Sequence, residues 1–274
     1  MGLISRVQHT LLTGVPSFTI LSWNMLSTQL AINFPAVSPE YLQWPYRKLL
    51  IFEELYRVNA DLVLLQELDK YLEVEEELKT KGYAGIFQVK RGWHNDGIAI
   101  FYKKRKFQLK KEFLITFEGN QNALGVKLRE GDQEFYVFTT HLKSLKKFDN
   151  ERTGQVRKLV EFFKGLEKLP IVIGGDFNSE PGSCAYNEVY NNELGFKSVY
   201  YFGKEVEYTT VKYREDFEVK TEDYLFQCGF DVLGYLGIPS METIGTSGLP
   251  SWNYPSDHFA LAANLRFSKL SSQT

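Results

Sequence analysis

Residues 170–178 read Pro-Ile-Val-Ile-Gly-Gly-Asp-Phe-Asn, and no other stretch restricts the fold as much. Ile171, Val172 and Ile173 leave no polar face, so the segment reads as a strand covered on both sides inside a layered α/β structure. Gly174 and Gly175 end the apolar run, and Asp176 and Asn178 follow with one residue between them. A strand that leaves the core in this way carries two oxygen-bearing side chains to the rim of its sheet, where open α/β sheets collect ligands. Taken alone, the same letters also describe a strand followed by an Asx-type turn.

The neighbouring sequence repeats the pattern. Phe18–Asn24 alternates as a first strand and ends on an amide. From Trp44 to Val58, Ile51, Leu55 and Val58 recur at helical spacing while Arg47, Lys48, Glu53 and Glu54 fall elsewhere, which predicts an amphipathic helix. Asp61–Glu67 is a second buried strand ending on an acid, and Glu73–Lys81 predicts a surface helix. Gly97–Tyr102 is a strand, Phe135–Thr140 alternates and runs into His141, and Val156, Leu159, Val160, Phe163 and Leu166 mark a helix. Asp223–Phe226 begins on an acid, and Tyr254-Pro255-Ser256-Asp257-His258 leads into Phe259–Ala262. This order of strands and helices, with long late connections, predicts a mixed-sheet α/β layered fold.

With 274 residues, 43% of them hydrophobic, the chain can bury the core of a single α/β domain, expected over residues 17–268. Residues 1–16 read as a short leader and 269–274 as a tail. The absence of acids before Glu40 resembles a mitochondrial transit peptide, but Phe18–Asn24 already belongs to the core, and a cytoplasmic location is the expectation. No apolar run reaches spanning length, which predicts no membrane association. Cys184 and Cys228 are expected as free thiols. A formal net charge of -2 excludes binding of polyanions by bulk charge, so any positive charge used on a phosphate must be local or supplied by metal.

Strand ends thus carry Asn24, Glu67, His141, Asp176, Asn178, Asp223, Asp257 and His258. Carboxylates and amides are hard oxygen donors, which favour Mg²⁺, with Mn²⁺ as a substitute, and no cysteine–histidine spacing suits zinc. Mg²⁺ keeps several waters and needs few protein ligands; Glu67 can anchor it, with Asn24 and Asp257 completing the shell.

Trp23-Asn24, Leu65-Gln66-Glu67, Thr140-His141-Leu142, Gly175-Asp176-Phe177-Asn178, Asp223-Tyr224 and Ser256-Asp257-His258 stand in an order that resembles the endonuclease/exonuclease/phosphatase superfamily, the DNase I-like fold. Trp44-Pro45-Tyr46-Arg47-Lys48, His141-Leu142-Lys143 with Arg152 and Gln155, and the run Leu249–His258 resemble its deadenylase-like branch, and within that the nocturnin-like members. The resemblance implies a four-layer α/β sandwich, two mixed β-sheets flanked by helices, and Mg²⁺-dependent hydrolysis of a phosphoester. It implies that Asp176 deprotonates a water while Asn178 holds the water or the phosphate. Glu67 would hold the ion, His258 would donate to a non-bridging oxygen, and Asp257 would ligate metal or orient His258. His141 is a second donor, and Asp223 aligns His141 or the nucleophile. Two departures stand out: Glu222 precedes Asp223 where the family carries an apolar residue, and Leu145 replaces a basic residue of the nocturnin-like members.

Substrate contacts are expected from Asn95, Lys143 and Arg152. The leading expectation is a monomer that removes the 2′-phosphate of NADP(H). The alternatives are a 3′-to-5′ exoribonuclease acting on short RNA 3′ ends as a poly(A)-specific deadenylase, a 2′,5′-oligoadenylate phosphodiesterase, and a catalytically silent nucleotide-binding protein. His9 and His94 are expected in solvent, Lys103–Lys106 with Lys110 and Lys111 as a solvated hairpin, and Tyr208, Phe217 and Trp252 as core or loop aromatics that could also stack a base.

Overall fold

The computed structural model describes residues 2–10, 12–92 and 95–268. Two sheets carry the architecture. The first has seven strands in the order β1 (Gln8–Thr10), β14 (Phe230–Leu236), β15 (Leu261–Phe267), β2 (Phe18–Asn24), β3 (Leu62–Leu68), β5 (Gly97–Lys103) and β4 (Tyr83–Val89). The second has six, in the order β10 (Lys197–Ser198), β13 (Asp223–Cys228), β9 (Ile171–Asp176), β8 (Gln133–His141), β7 (Asn122–Glu130) and β6 (Gln108–Thr116). Both are mixed: β2 runs parallel to β3 and β8 parallel to β9, while their other pairings are antiparallel. A separate hairpin joins β11 (Thr210–Tyr213) to β12 (Phe217–Lys220).

The sequence pattern explains the layers. Ile20, Leu62, Leu64, Ile98 and Ile100 on the inner face of the first sheet meet Val126, Phe135, Val137, Val172 and Leu225 on the inner face of the second. Alternate residues of the same strands, Leu21, Trp23, Val63 and Leu65, point outward beneath α3 (Trp44–Val58) and α4 (Tyr71–Thr80). On the far side, Tyr136, Phe138, Ile171 and Ile173 pack under α5 (Asp149–Lys164) and α6 (Cys184–Tyr190). Central strands are therefore covered on both faces, which is why β3, β5 and β9 carry no polar side in sequence. The order helix, sheet, sheet, helix is the four-layer sandwich. Shorter helical turns are α1 (Thr28–Ala31), α2 (Pro39–Leu42) and α7 (Met241–Ile244).

Three details differ from the sequence reading. The segment expected as a leader contributes edge strand β1, and Ile4 is buried in the core. His9 is exposed, as expected, but stacks on Tyr235 at 4.6 Å. The basic run after β5 is only half solvated: Lys103 and Lys106 turn inward, with Nζ atoms 3.1 and 2.7 Å from Asp61, while Lys104 and Arg105 face water. His94 and the tail 269–274 lie outside the described residues. Cys184 and Cys228 are both free, and among the described residues no helix is long and apolar enough to cross a membrane.

Candidate active site

The register of the second sheet sets three site residues in one row. His141 at the end of β8 lies opposite Asp176 at the end of β9, which lies opposite Asp223 at the start of β13. In the first sheet Asn24 ends β2 opposite Gln66, one residue before Glu67. Asn24 joins the two sheets: its Nδ2 donates to Glu67 Oε1 at 3.1 Å and to Asp176 Oδ2 at 3.0 Å, while its Oδ1 accepts from Leu26 N.

Local backbone chemistry holds the carboxylates. A β-bulge between Leu65 and Leu68 turns Glu67 out of the ladder at a left-handed φ of 53°, and Glu67 Oε2 accepts from Ser27 N at 2.9 Å. Asp176 Oδ1 accepts from Asn178 N at 2.8 Å, and Asn178 takes φ 49°. That is an Asx turn, so the turn reading and the site reading of Gly-Gly-Asp-Phe-Asn both hold for the same residues. Asn178 Nδ2 donates to Leu142 O at 3.0 Å, which makes Asn178 a brace for the loop after β8.

The Ser256-Asp257-His258 turn closes the cluster. Ser256 Oγ donates to Asn24 O at 2.6 Å, and His258 N donates to Ser256 Oγ at 3.1 Å. Trp23 Nε1 donates to His258 O at 2.8 Å, and Thr210 Oγ1 donates to Asp257 O at 2.8 Å. His258 Nδ1 lies 2.9 Å from Asp223 Oδ2, and its Nε2 lies 3.9 Å from both Asp176 Oδ2 and Asp257 Oδ2. Asp223 thus orients His258 and not His141, and Thr209 Oγ1 donates to the same Asp223 oxygen at 2.6 Å.

These surroundings separate the two imidazoles. Burial alone would deprotonate His258, but Asp223, Asp257 and Asp176 raise its pKa to about 10, so it is a cation at neutral pH. Burial, Lys90 and His258 hold His141 well below its ordinary value, so it is neutral; its Nε2 is 3.5 Å from Asp176 Oδ2. Burial and the neighbouring Asp223 carboxylate push Asp176 up to about 7. Burial pushes Glu67 up as well, but Lys90, the Ser27 N–H and His258 outweigh it and keep the carboxyl below the usual range. The result is a carboxyl that can hold a proton near neutrality beside a fixed imidazolium.

Asn24, Glu67, His141, Asp176, Asp223, Asp257 and His258 are all buried and brought together. The substrate residues expected from sequence converge less. Lys143 sits just past the site with Nζ 4.7 Å over the Phe148 ring. Arg152 turns inward, donating to Lys143 O at 2.9 Å and Leu145 O at 2.8 Å, so it shapes the loop instead of facing a ligand. Asn95 is exposed. Tyr208 is buried with its hydroxyl on Pro239 O, whereas Phe217 and Trp252 are exposed.

Three cations escaped the sequence reading. Lys90 follows β4 and lies 2.6 Å from Asp96; its charge acts on Glu67 and His141. Lys212 lies on β11, where Asp257 and Glu222 overcome burial and raise its pKa. Arg214 Nη2 is 3.3 Å from Asp257 Oδ2, with the guanidinium 4.7 Å over Phe34. The alternation Thr210, Lys212 was the available signal, since it sets one face of a strand just ahead of Asp223, with Arg214 in the bend that follows. Lys90 had none.

The donor set suits a hard divalent cation. Glu67 and Asp257 are buried carboxylates, and Asp176 and Asp223 offer further carboxylate oxygens within 4.8 Å of each other, whereas His258, charged and bonded to Asp223, has no lone pair to give a metal. No cysteine takes part.

Comparison with known proteins agrees with this geometry. Residues 21–258 match the Endonuclease/Exonuclease/phosphatase family. The chain is 32% identical to nocturnin of Homo sapiens over 286 residues, covering 93% of this chain and 66% of that protein, so it spans just under two thirds of that relative. Among solved structures, the human nocturnin catalytic domain with bound sulfate anion superposes with a TM-score of 0.81 at 27% identity, covering 96% of this chain and 98% of that one. ANGEL2, a 2′,3′-cyclic phosphatase, in complex with adenosine-2′,3′-vanadate gives a TM-score of 0.86 at 23% identity, with 97% and 99% coverage, a likeness of fold.

Proposed function

The chain belongs to the endonuclease/exonuclease/phosphatase family, whose members are hydrolytic phosphoesterases, and from that premise we propose that it is a metal-dependent phosphohydrolase that removes the 2′-phosphate of NADP(H). One observation carries the chemistry. Asn24 Nδ2 bridges Glu67 (3.1 Å) and Asp176 (3.0 Å) while His258 lies 3.9 Å from the same Asp176 oxygen. A cation-binding carboxylate, a base and a charged donor are thereby fixed around one point.

Asp176 accepts the proton of the attacking water, for which its raised pKa suits it. His258, kept charged by Asp223, donates to a phosphoryl oxygen as negative charge develops. Neutral His141 adds a second contact on the Asp176 side. Glu67 and Asp257, with Asn24 orienting Glu67, would hold a divalent ion such as Mg²⁺, which when bound neutralises charge on the phosphoryl oxygens. Lys90, Lys212 and Arg214 supply the local positive charge that a chain of net charge -2 must concentrate to take a small anion.

A second reading, hydrolysis at an RNA 3′ end or in a 2′,5′-linked oligoadenylate, draws on the loop after β8. Leu145 is 62% exposed there and Arg152 is turned inward, which leaves less charge for an additional phosphate, while exposed Phe217 and Trp252 could stack bases. A panel of NADP⁺, NADPH, oligo(A) and 2′,5′-linked oligoadenylate, assayed with and without Mg²⁺, decides. Phosphate release from NADP(H) without shortening of oligo(A) is expected; the reverse pattern would overturn the substrate assignment, and undiminished turnover in EDTA would overturn the metal.

A further inference from the structure

We infer that the N-terminal segment 2–10 sets the position of the Ser256-Asp257-His258 turn, with Arg6 as a positioning residue for His258; the inference rests on the phosphohydrolase reading above. The turn lies between the isolated pairing at Tyr254 and the start of β15, and it is held from outside through its carbonyls. Arg47 Nε donates to Pro255 O, Thr210 Oγ1 to Asp257 O and Trp23 Nε1 to His258 O. The two outermost anchors come from the N-terminal segment. Ile4 N donates to Asn253 O at 3.2 Å, and Arg6 Nη2 donates to Ala260 O at 2.7 Å, one on each side of the turn.

Arg6 is built into the protein for this contact. Its side chain has 0% exposure, as does that of Glu54, whose Oε1 lies 2.9 Å from Arg6 Nη1. Nε donates to Gly237 O at 2.9 Å, and the guanidinium lies 5.7 Å over Phe259. One planar group thus ties α3, the end of β14 and the residue two past His258. Burying a guanidinium is costly unless its charge and N–H groups are answered, so a solvent-facing tether would have been the cheaper way to hold this segment. The rest of the segment keeps Arg6 in place: Gly237 N donates to Val7 O at 2.7 Å, Arg57 Nη1 donates to Ile4 O at 2.7 Å, and β1 pairs with β14. Ile4 shares its core cluster with Tyr254, Phe259 and Ala260.

His258 must stay within reach of both Asp223 and the reacting phosphoryl oxygen, and small misplacements of such a group are expensive in rate. Lys90 follows β4, away from the turn, and Lys212, although its strand is bridged to His258, is also held in register by β12, so a displaced turn should act chiefly on chemistry and only weakly on binding.

Arg6→Lys retains the charge opposite Glu54 but cannot reach Gly237 and Ala260 together. Its kcat should fall on the order of tenfold to a hundredfold, with KM within about twofold of the parent. Arg6→Met/Glu54→Gln removes the buried Arg6–Glu54 pair and leaves Arg57, the second partner of Glu54, with a 32% exposed side chain that water can solvate, so it should fold and still show the low kcat. Val7→Ser, at a 65% exposed position of the same segment, should change neither constant. Amide hydrogen exchange over Asp257–Ala262 should rise in both Arg6 variants while β3 and β9 keep their protection. A parent-like kcat in either folded Arg6 variant overturns the inference. If the parent hydrolyses no phosphoester, the function proposed above fails, and exchange alone decides: unchanged protection over Asp257–Ala262 then overturns the positioning role.

Discussion

Asp223 shows how one carboxylate can be chosen for a task by its neighbours. Four acids meet at this site, yet only Asp223 lies within a hydrogen bond of His258 Nδ1, and Thr209 donates to the same oxygen. That geometry assigns Asp223 to keeping His258 charged, and leaves Asp176, with its raised pKa, free to take a proton. Asp223→Asn removes the charge and keeps the shape. We expect kcat at neutral pH to fall by about 10²- to 10³-fold, the usual loss of one transition-state donor, corresponding to about 2.7–4 kcal/mol. Because Asp223 is the leading cause of the raised His258 pKa, the alkaline limb of the rate profile should also move to lower pH. A steady-state profile on the best substrate of the panel checks both; an unshifted alkaline limb would show that His258 is not the titrating donor.

At the scale of elements, the glycines of Gly-Gly-Asp-Phe-Asn matter for spacing. A Cβ on Gly175 would stand 2.1 Å from Thr140 O, on the strand that presents His141. Gly175→Ala must therefore push β8 from β9 and disturb the His141–Asp176 row; a loss of about 1–3 kcal/mol in stability is expected, with activity falling alongside. Gly154 is the contrast. It lies exposed within α5 with nothing within 4 Å of an added Cβ, so Gly154→Ala should stabilise by about 0.5–1 kcal/mol and leave activity unchanged. Urea titrations of both variants test the pair. The start of β3 offers a pH test. Burial would raise Asp61, but Lys106, the Thr19 N–H and Lys103 outweigh it and hold the carboxyl below its ordinary value. Such a group contributes stability that is full above the unfolded-state value, about 3.9, and is lost as pH falls through the lower folded value. The unfolding free energy of the parent should drop across that acid range, and that of Asp61→Asn should start lower and drop less; parallel curves would exclude the Lys103–Asp61–Lys106 clamp as the cause.

Over the whole molecule, legibility followed apolar periodicity. Strands covered on both faces announce themselves by lacking a polar side, so β3, β5 and β9 and the residues at their ends were readable, and with them Glu67 and Asp176. Arg152 was misread because a basic residue near a catalytic strand does not show whether it faces the ligand or, as here, two carbonyls of its own loop. Lys90, Lys212 and Arg214 were missed because they reach the site from a sheet edge and a detached hairpin, a juxtaposition that only the fold creates. Lys103 and Lys106 pair with Asp61, so two cations of the run expected as a solvated hairpin turn inward instead. This distribution of charge predicts a weak salt response. If Lys90, Lys212 and Arg214 are the cations that meet phosphates, three contacts on a single strand should give log(kcat/KM) for oligo(A) a slope of about −2 against log[salt]. A small substrate such as NADP⁺ should fall no more steeply. Measuring kcat/KM from low to moderate KCl at fixed Mg²⁺ gives both slopes. A value near −4 or steeper for oligo(A) would mean that further cations, with exposed Lys104, Arg105, Lys110 and Lys111 the first candidates, hold a longer strand, and would shift the substrate assignment toward RNA.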